Sequence, residues 1–473
     1  MRRFAPQFAS LAALALLAAA AQAQPAAGPT AMQDPLVATA EQLRDRALAG
    51  SGAYAIVESL TTEIGPRPAG SPAMDRANDW AVARLTALGF ENVRTQEYPI
   101  SGWVRGQERA EVVGSNAQPL ILTTLVGSVA TPARGLEAEM VLFRTYDDLL
   151  VAPADSLKGK IAVVTQAMTT TQDGSGYGAA GPVRRSGASE AARRGAVAYL
   201  HRSLGTHSHR FPHTGSMSYA EGAPKIPAAA LSPPDAEQLE RLAARGPVRL
   251  RVTLTPSERR NARAKNIIAE VRGRERPDEL VVIGAHLDAW DLGNGAVDDG
   301  AGVAIVTAAA KLVRDLPQRP RRTIRVVLFG AEEIGEAGPA YAKAHAAEIA
   351  NHVVVSESDF GADRIYGLAL PAGSAQAPAM QALRRVLVPL GVNLAAQPAT
   401  NGGPDFAPLQ PLGVPAVRLQ QDGTSYFNFH HTADDTLDKI DREALDQNVA
   451  AWAAFLWTTA DSDVDFRAAA AAR

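Results

Sequence analysis

The sequence predicts an α/β fold in which a mixed, mostly parallel sheet is sandwiched by helices and interrupted by an inserted β-rich region. Three observations carry the prediction. From residue 266 onward strand-like and helix-like segments alternate, the pattern of a sheet wound with crossover helices. The strands among them, such as Leu280-Val-Val-Ile-Gly-Ala-His286 and Thr323-Ile-Arg-Val-Val-Leu-Phe329, are near-continuous apolar runs, which belong to a sheet covered on both faces. Between about 116 and 258 the chain breaks instead into short runs punctuated by Pro and Gly, which marks a separate body of short strands.

Taken in order, the chain begins with Arg2 and Arg3, the apolar run Leu11-Ala-Ala-Leu-Ala-Leu-Leu-Ala-Ala-Ala, and Ala21-Gln-Ala23. These are the charged start, apolar middle and small-residue cleavage site of an export signal. The run falls short of the roughly 20 apolar residues that span a bilayer. Residues 1–23 are therefore expected to be removed, leaving a periplasmic or secreted product with no membrane contact. Residues 24–34, rich in Ala, Pro and Gly, read as a linker. The first part of the main domain is expected over 35–115. Helices at 36–49 and 74–88, each followed by a glycine, Gly50 and Gly89, end as helices commonly do. Between them lies the turn Ile64-Gly-Pro-Arg-Pro-Ala-Gly-Ser71, and Phe90-Glu-Asn-Val-Arg-Thr-Gln-Glu-Tyr98 then alternates like a strand.

Residues 116–258 form the expected insertion, with strand-like runs at 120–125, 139–144, 160–164, 195–200 and 226–232 and helices at 189–194 and 235–244. The main domain resumes over 259–465. Strands are predicted at 266–271, 280–286, 323–329, 352–356 and 415–419, and helices at 302–313, 337–347, 380–390 and 442–457. Residues 466–473 read as a flexible tail. Two or more domains suit a chain of 473 residues.

Composition narrows the function. A net charge of -3, with 46% hydrophobic and 21% charged residues, gives no reason to expect nucleic acid or an acidic membrane as partner. There is no cysteine, so there is neither a disulfide nor a lipid-anchoring thiol, and any transition-metal site must be built from His, Asp and Glu.

Those residue types gather at the ends of the predicted strands. His286 ends one strand, and Asp288 two residues on is placed to fix its tautomer. Asp298-Asp299 opens a helix between glycine-rich flanks. A single Asp there suits a helix cap, but two leave one free to bridge metal ions. Glu332-Glu333 ends the next strand, and neighbours on an extended segment point to opposite sides, so one carboxylate can bind metal while the other acts as base. Asp359 follows a further strand. Tyr426-Phe-Asn-Phe-His430-His431-Thr-Ala-Asp-Asp435 adds a last His, with Asp434 or Asp435 as an outer partner. Imidazole and carboxylate together suit zinc better than magnesium or calcium, and paired zinc ions imply hydrolysis by an activated water. His201, His207, His209 and His213 cluster in the insertion but have no regular ligand spacing, and they are not read as a second site.

Five ordered motifs now stand together: Gly65-Pro-Arg-Pro-Ala-Gly-Ser71, Gly284-Ala-His-Leu-Asp-Ala-Trp-Asp-Leu-Gly-Asn-Gly-Ala-Val-Asp-Asp-Gly300, Ala331-Glu-Glu333, Glu357-Ser-Asp359 and Phe429-His-His-Thr432. With them the chain resembles the cocatalytic dizinc exopeptidases of family M28, and among these the plasma glutamate carboxypeptidase type. The resemblance implies a phosphorylase/hydrolase-like catalytic fold with a protease-associated domain as the insertion, and it allows a homodimer. It makes His286, Asp298, Glu333, Asp359 and His431 the ligands of two zinc ions, with Asp298 bridging and Glu332 as general base. His431 is taken because the family places Thr or Ser directly after the liganding His, as Thr432 is here, and His430 is the fallback. The expected activity is removal of single residues from short peptides. An aminoacylase-like or cyclising enzyme on the same scaffold, and a receptor-like protein without catalysis, are the alternatives.

Overall fold

The computed structural model describes residues 34–467, so the expected signal at 1–23, the linker up to 33 and the tail from 468 onward lie outside the described residues. Phe466, expected to start that tail, is instead packed into the core. A five-stranded sheet runs in the order Glu91–Pro99, Arg263–Val271, Arg322–Phe329, Arg276–His286, His352–Glu357. The last three are parallel to one another, and the first two are added antiparallel. The helix Ala301–Arg314 makes the crossover between the two central strands, as a parallel pair requires.

Along these strands alternate residues face opposite covers. Val281, Ile283, Ala285, Ile324, Val326 and Leu328 pack with the helices Pro35–Leu48, Ala301–Arg314 and Arg442–Ala460. Leu280, Val282, Val327 and Phe329 turn the other way, toward Tyr341, Phe406 and Leu409. Both faces are dry, which is why the strands carry no polar face. The outer helices show the complementary pattern: Pro35–Leu48 buries Val37, Ala40, Leu43 and Ala47, the stripe of a one-sided helix. Arg442–Ala460 starts at Asp441, whose side chain accepts the Ala444 amide at 2.8 Å, satisfying one of the free donors at a helix start.

A second, eight-stranded sheet is built from strands between Glu108 and Leu254, with the helices Ser175–Arg193 and Pro233–Ala243 and a hydrophobic cluster of its own. Its strand Glu108–Val113 lies ahead of the expected boundary at 116. Gly102–Val104 pairs antiparallel with Ser257–Arg259, so the two connections to this sheet run side by side.

Several elements differ from the sequence reading. The helix Ala53–Glu63 and the strand Ile365–Ala369 were not predicted, and the helix expected at 189–194 runs from Ser175 to Arg193. The last contains Gly176, Gly178, Gly181, Pro182 and Gly187, residues of poor helix propensity that packing overrides. At Gly187 the Tyr199 ring lies so close that a Cβ would sit 2.2 Å from it. No helix among the described residues is long and apolar enough to cross a membrane.

The carboxyl end of the central strands rests on Phe329, which meets Phe406 and Tyr341 edge-on at ring distances of 5.3 and 5.9 Å and abuts Gly284. Phe329→Ala is expected to destabilise the protein by about 3–5 kcal/mol, seen as a lowered denaturant midpoint. An unchanged midpoint would contradict this packing account.

Candidate metal centre

Register brings the chemistry to one edge of the sheet. His286 lies beside Phe329, and Gly284 lies beside Glu357. The turns that follow, carrying Asp288, Glu332, Glu333 and Asp359, therefore leave from neighbouring carboxyl ends, where open α/β sheets keep their sites.

His286 Nδ1 lies 2.9 Å from the Asp288 carbonyl. A carbonyl only accepts, so Nδ1 carries the proton and Nε2 is left as a lone pair. That Nε2 is 3.1 Å from Asp298 Oδ1 and 3.5 Å from Asp359 Oδ1. The Asp288 carboxylate, expected to orient His286, stands farther off, at 3.7 Å. It instead accepts the backbone amides of Glu332 at 3.1 Å and Glu333 at 3.4 Å, fixing the two-glutamate turn. Asp299 takes the amides of His286 and Gly302, each at 3.0 Å. It is thus the structural member of its pair, and Asp298 is left to face the site; the peptide between them is cis. Asp435 is the outer partner. Its carboxylate accepts the amides of Ala296, Val297 and Asp298 at 2.8, 2.6 and 3.2 Å, and so holds the loop that presents Asp298.

The second half of the cluster comes from the C-terminal third. His431 Nε2 is 3.1 Å from Glu333 Oε2 and 3.3 Å from Asp298 Oδ2. Its Nδ1 lies 3.1 Å from the Thr214 carbonyl and 3.4 Å from the Arg184 guanidinium; with the nearer carbonyl taking an Nδ1 proton, this imidazole too turns a bare Nε2 toward carboxylates. His430 stacks on it with ring centres 3.5 Å apart, its own Nε2 3.8 Å from Asp298 Oδ2. Ligand atoms of His286, Asp298 and Asp359 fall within 4.8 Å of one another, as do those of Asp298, His430 and His431. Asp298 belongs to both groups.

This donor set fits a metal ion. Asp298 Oδ2 and Glu333 Oε1 are buried with no hydrogen-bond partner. Burial pushes Glu332 and Glu333 well above the ordinary carboxylate range, and the charges around them push further: Asp359, Glu357 and Asp288 on Glu332, Asp298 and Asp288 on Glu333. Burial pulls His286 down, but Asp288, Asp298 and Asp359 overcome it and hold the imidazole well above its usual value, so the site favours a positive charge at Nε2, a proton or a metal ion in its place. Burial also lowers His431 to about 3, against the pull of Asp298, which keeps it neutral as a ligand must be. Carboxylate oxygens and imidazole lone pairs packed together in a dry cleft repel unless a cation lies among them.

Arg67, in the Gly-Pro-Arg-Pro turn, has a part in the site that the motif alone does not display. Arg67 is fully buried and donates to the carbonyls of Leu287, Gly65, Asn294 and Gly295 at 2.5, 3.2, 2.7 and 2.8 Å. It braces the loop between His286 and Asp298 from behind. Desolvation lowers its pKa, and Asp435, Asp288, Asp299 and Asp298 offset that. The Gly-Pro-Arg-Pro turn is the signal that marks it, since two prolines hold an arginine in a rigid bend.

Known proteins resemble this chain over most of its length. The sequence model for peptidase family M28 matches residues 266–456. Carboxypeptidase Q of Bos taurus is 34% identical over 410 residues, covering 86% of this chain and 85% of that protein. The crystal structure of a peptidase M28 precursor from Shewanella amazonensis SB2B is 48% identical, with a TM-score of 0.88 over 91% of this chain and 98% of its own. A zinc aminopeptidase from Bacillus subtilis, at 20% identity and a TM-score of 0.62 over 88% of this chain and 98% of its own, shares the fold.

A Cβ at Gly302 would sit 2.0 Å from the Ser358 carbonyl and 2.3 Å from Asp299 Oδ1, between the segments that present Asp298 and Asp359. Gly302→Ala is expected to weaken zinc binding by at least about 10-fold, as loss of outer support to ligands does. Gly178→Ala, where a Cβ meets nothing within 4 Å, should bind zinc as the parent does. Equal affinities in a chelator competition would contradict the placement.

Proposed function

The chain belongs to peptidase family M28, and from that membership we propose an exported dizinc exopeptidase, of aminopeptidase or dipeptidase type, that hydrolyses short peptides. One observation carries the reading. Two imidazoles, each with its Nδ1 proton given to a backbone carbonyl, aim Nε2 at opposite oxygens of one carboxylate, Asp298. That arrangement supports reading Asp298 as a ligand that two ions would share. His286, Asp298 and Asp359 would hold one ion, and Asp298, Glu333 and His431 the other.

Zinc bound there supplies Lewis acidity to the peptide carbonyl and to the attacking water. The remaining work belongs to the protein. Asp288, by holding the amides of Glu332 and Glu333, commits Glu333 to the ligand cluster and leaves the Glu332 carboxylate as the base. Glu332 takes the proton of the attacking water and returns it to the leaving amine. Its burial, which raises its affinity for a proton, suits both transfers.

A cavity opens on each side of the cluster, each of about 210 Å³. One reaches Asp359 and is lined by Phe360, Tyr366 and Arg418. The other reaches Glu333 and is lined by Trp103, Trp290 and Ile334. A peptide laid across the ligands would place one residue in each. The inserted region, expected over 116–258 and read as a protease-associated domain, contributes Val126 to the second cavity. Export rests on the signal at residues 1–23.

Glu332→Ala is expected to retain two zinc ions per chain and to lose about 10²–10⁴-fold in kcat, measured by metal analysis and by turnover on free dipeptides. Near-parental turnover would remove Glu332 from the mechanism. Stripping the parent enzyme with a chelator should abolish cleavage and added zinc should restore it. Preference for N-acylated over free peptides would replace the exopeptidase reading with an aminoacylase one.

A further inference from the structure

The candidate liganding loop at 427–431 does not stand by itself: the loop between two strands of the second sheet, Ala198–Arg202 and Ala228–Leu231, runs along it. Thr206 donates its amide to the Phe427 carbonyl at 3.2 Å and its hydroxyl to Asn428 Oδ1 at 2.8 Å. His213 Nδ1 lies 2.6 Å from the His430 carbonyl. Thr214 holds His431 at both ends, its amide giving to the His431 carbonyl at 2.9 Å and its own carbonyl taking the imidazole Nδ1 proton at 3.1 Å. His431 has a φ of 63°, a left-handed conformation that a non-glycine residue keeps only when its surroundings over-determine it.

The same contacts account for His207 and His213 of the histidine cluster. The His430 carbonyl only accepts, so His213 carries its proton on Nδ1 and its Nε2 accepts. His207 Nε2, 2.6 Å away, is then the donor, and His207 Nδ1 takes the His209 amide at 2.9 Å. Both rings of the pair have both nitrogens occupied, and the hydrogen bonds run in one direction toward the metal-binding loop. From the other side Arg105 joins the same segment to the loop between His286 and Asp298. It pairs with both Asp291 oxygens at 2.7 and 2.8 Å and donates to Thr214 Oγ1 at 3.0 Å.

We propose that the second sheet is an integral part of the metal centre, with His213 and Thr214 positioning His431 so that the zinc affinity of the Glu333–His431 half depends on them. The proposal rests on His431 being a ligand, as read above. His213 is a positioning residue that touches neither metal nor substrate.

The test uses the full-length chain loaded with zinc and titrated against a chromophoric chelator. His213→Leu removes the donor to the His430 carbonyl and is expected to weaken one of the two zinc sites by about 10–100-fold. His213→Asn, whose amide nitrogen reaches where Nδ1 stood, is expected to restore most of that loss. If His213→Leu does not fold, His207→Leu, which leaves His213 in place without its own donor, is read in the same titration. Parental affinity at both sites in the leucine variant, or a loss that asparagine does not rescue, would overturn the proposal. His431→Ala separates the two readings: if it binds two zinc ions as tightly as the parent, it is the ligand assignment that fails.

Discussion

The structure turns on one carboxylate. Asp298 is shared by two imidazoles whose Nε2 atoms lie 3.1 and 3.3 Å from its two oxygens, and every neighbouring element restrains it. Asp435 holds its loop by three amides, Arg67 by the carbonyls behind, and Asp299 ties the same turn to the His286 strand. Each of these groups spends its hydrogen bonds on backbone, so the side chains facing the site are left to a cation. A buried cluster of this charge is tolerable only with such compensation, and the surrounding fold is therefore committed to metal binding.

Much of the candidate centre was legible in the sequence because a parallel sheet concentrates its chemistry at strand ends. His286, Glu332, Glu333 and Asp359 each follow an apolar run, and a β-α-β reading alone sends those ends to one edge. What the sequence could not display was which backbone groups the outer residues would meet. Asp288 was expected on the His286 ring, yet its carboxylate holds the glutamate turn, because the Asp288 carbonyl already occupies Nδ1 at 2.9 Å. Arg67 was hidden for the same reason: its partners are four carbonyls, three of them more than 200 residues away.

The fold was misread where local preference and tertiary packing disagree. The helix Ser175–Arg193 carries glycines and a proline that speak against helix in isolation, but its small residues allow the close approach to Tyr199 on the neighbouring strand. The same helix carries Arg184, whose guanidinium lies 3.4 Å from His431 Nδ1. A segment that reads as a loop is thus packed against a candidate ligand, and the second sheet is joined to the site by side chains that no spacing pattern announces.

The groups around each ring favour His431 over His430 as the proposed ligand. A metal-bound imidazole needs its other nitrogen held, which fixes the tautomer and strengthens the ligand. His431 meets this at Thr214. His430 Nδ1 is buried without a partner, and its Nε2 is farther from Asp298, at 3.8 Å against 3.3 Å. His430 lies instead among Tyr177, Tyr426 and Phe427 at ring distances of 4.9, 5.0 and 5.2 Å. Stacked on His431 with ring centres 3.5 Å apart, it covers one face of that ring. On the proposed reading the adjacent histidines divide the work, His431 as the ligand and His430 as its packing partner.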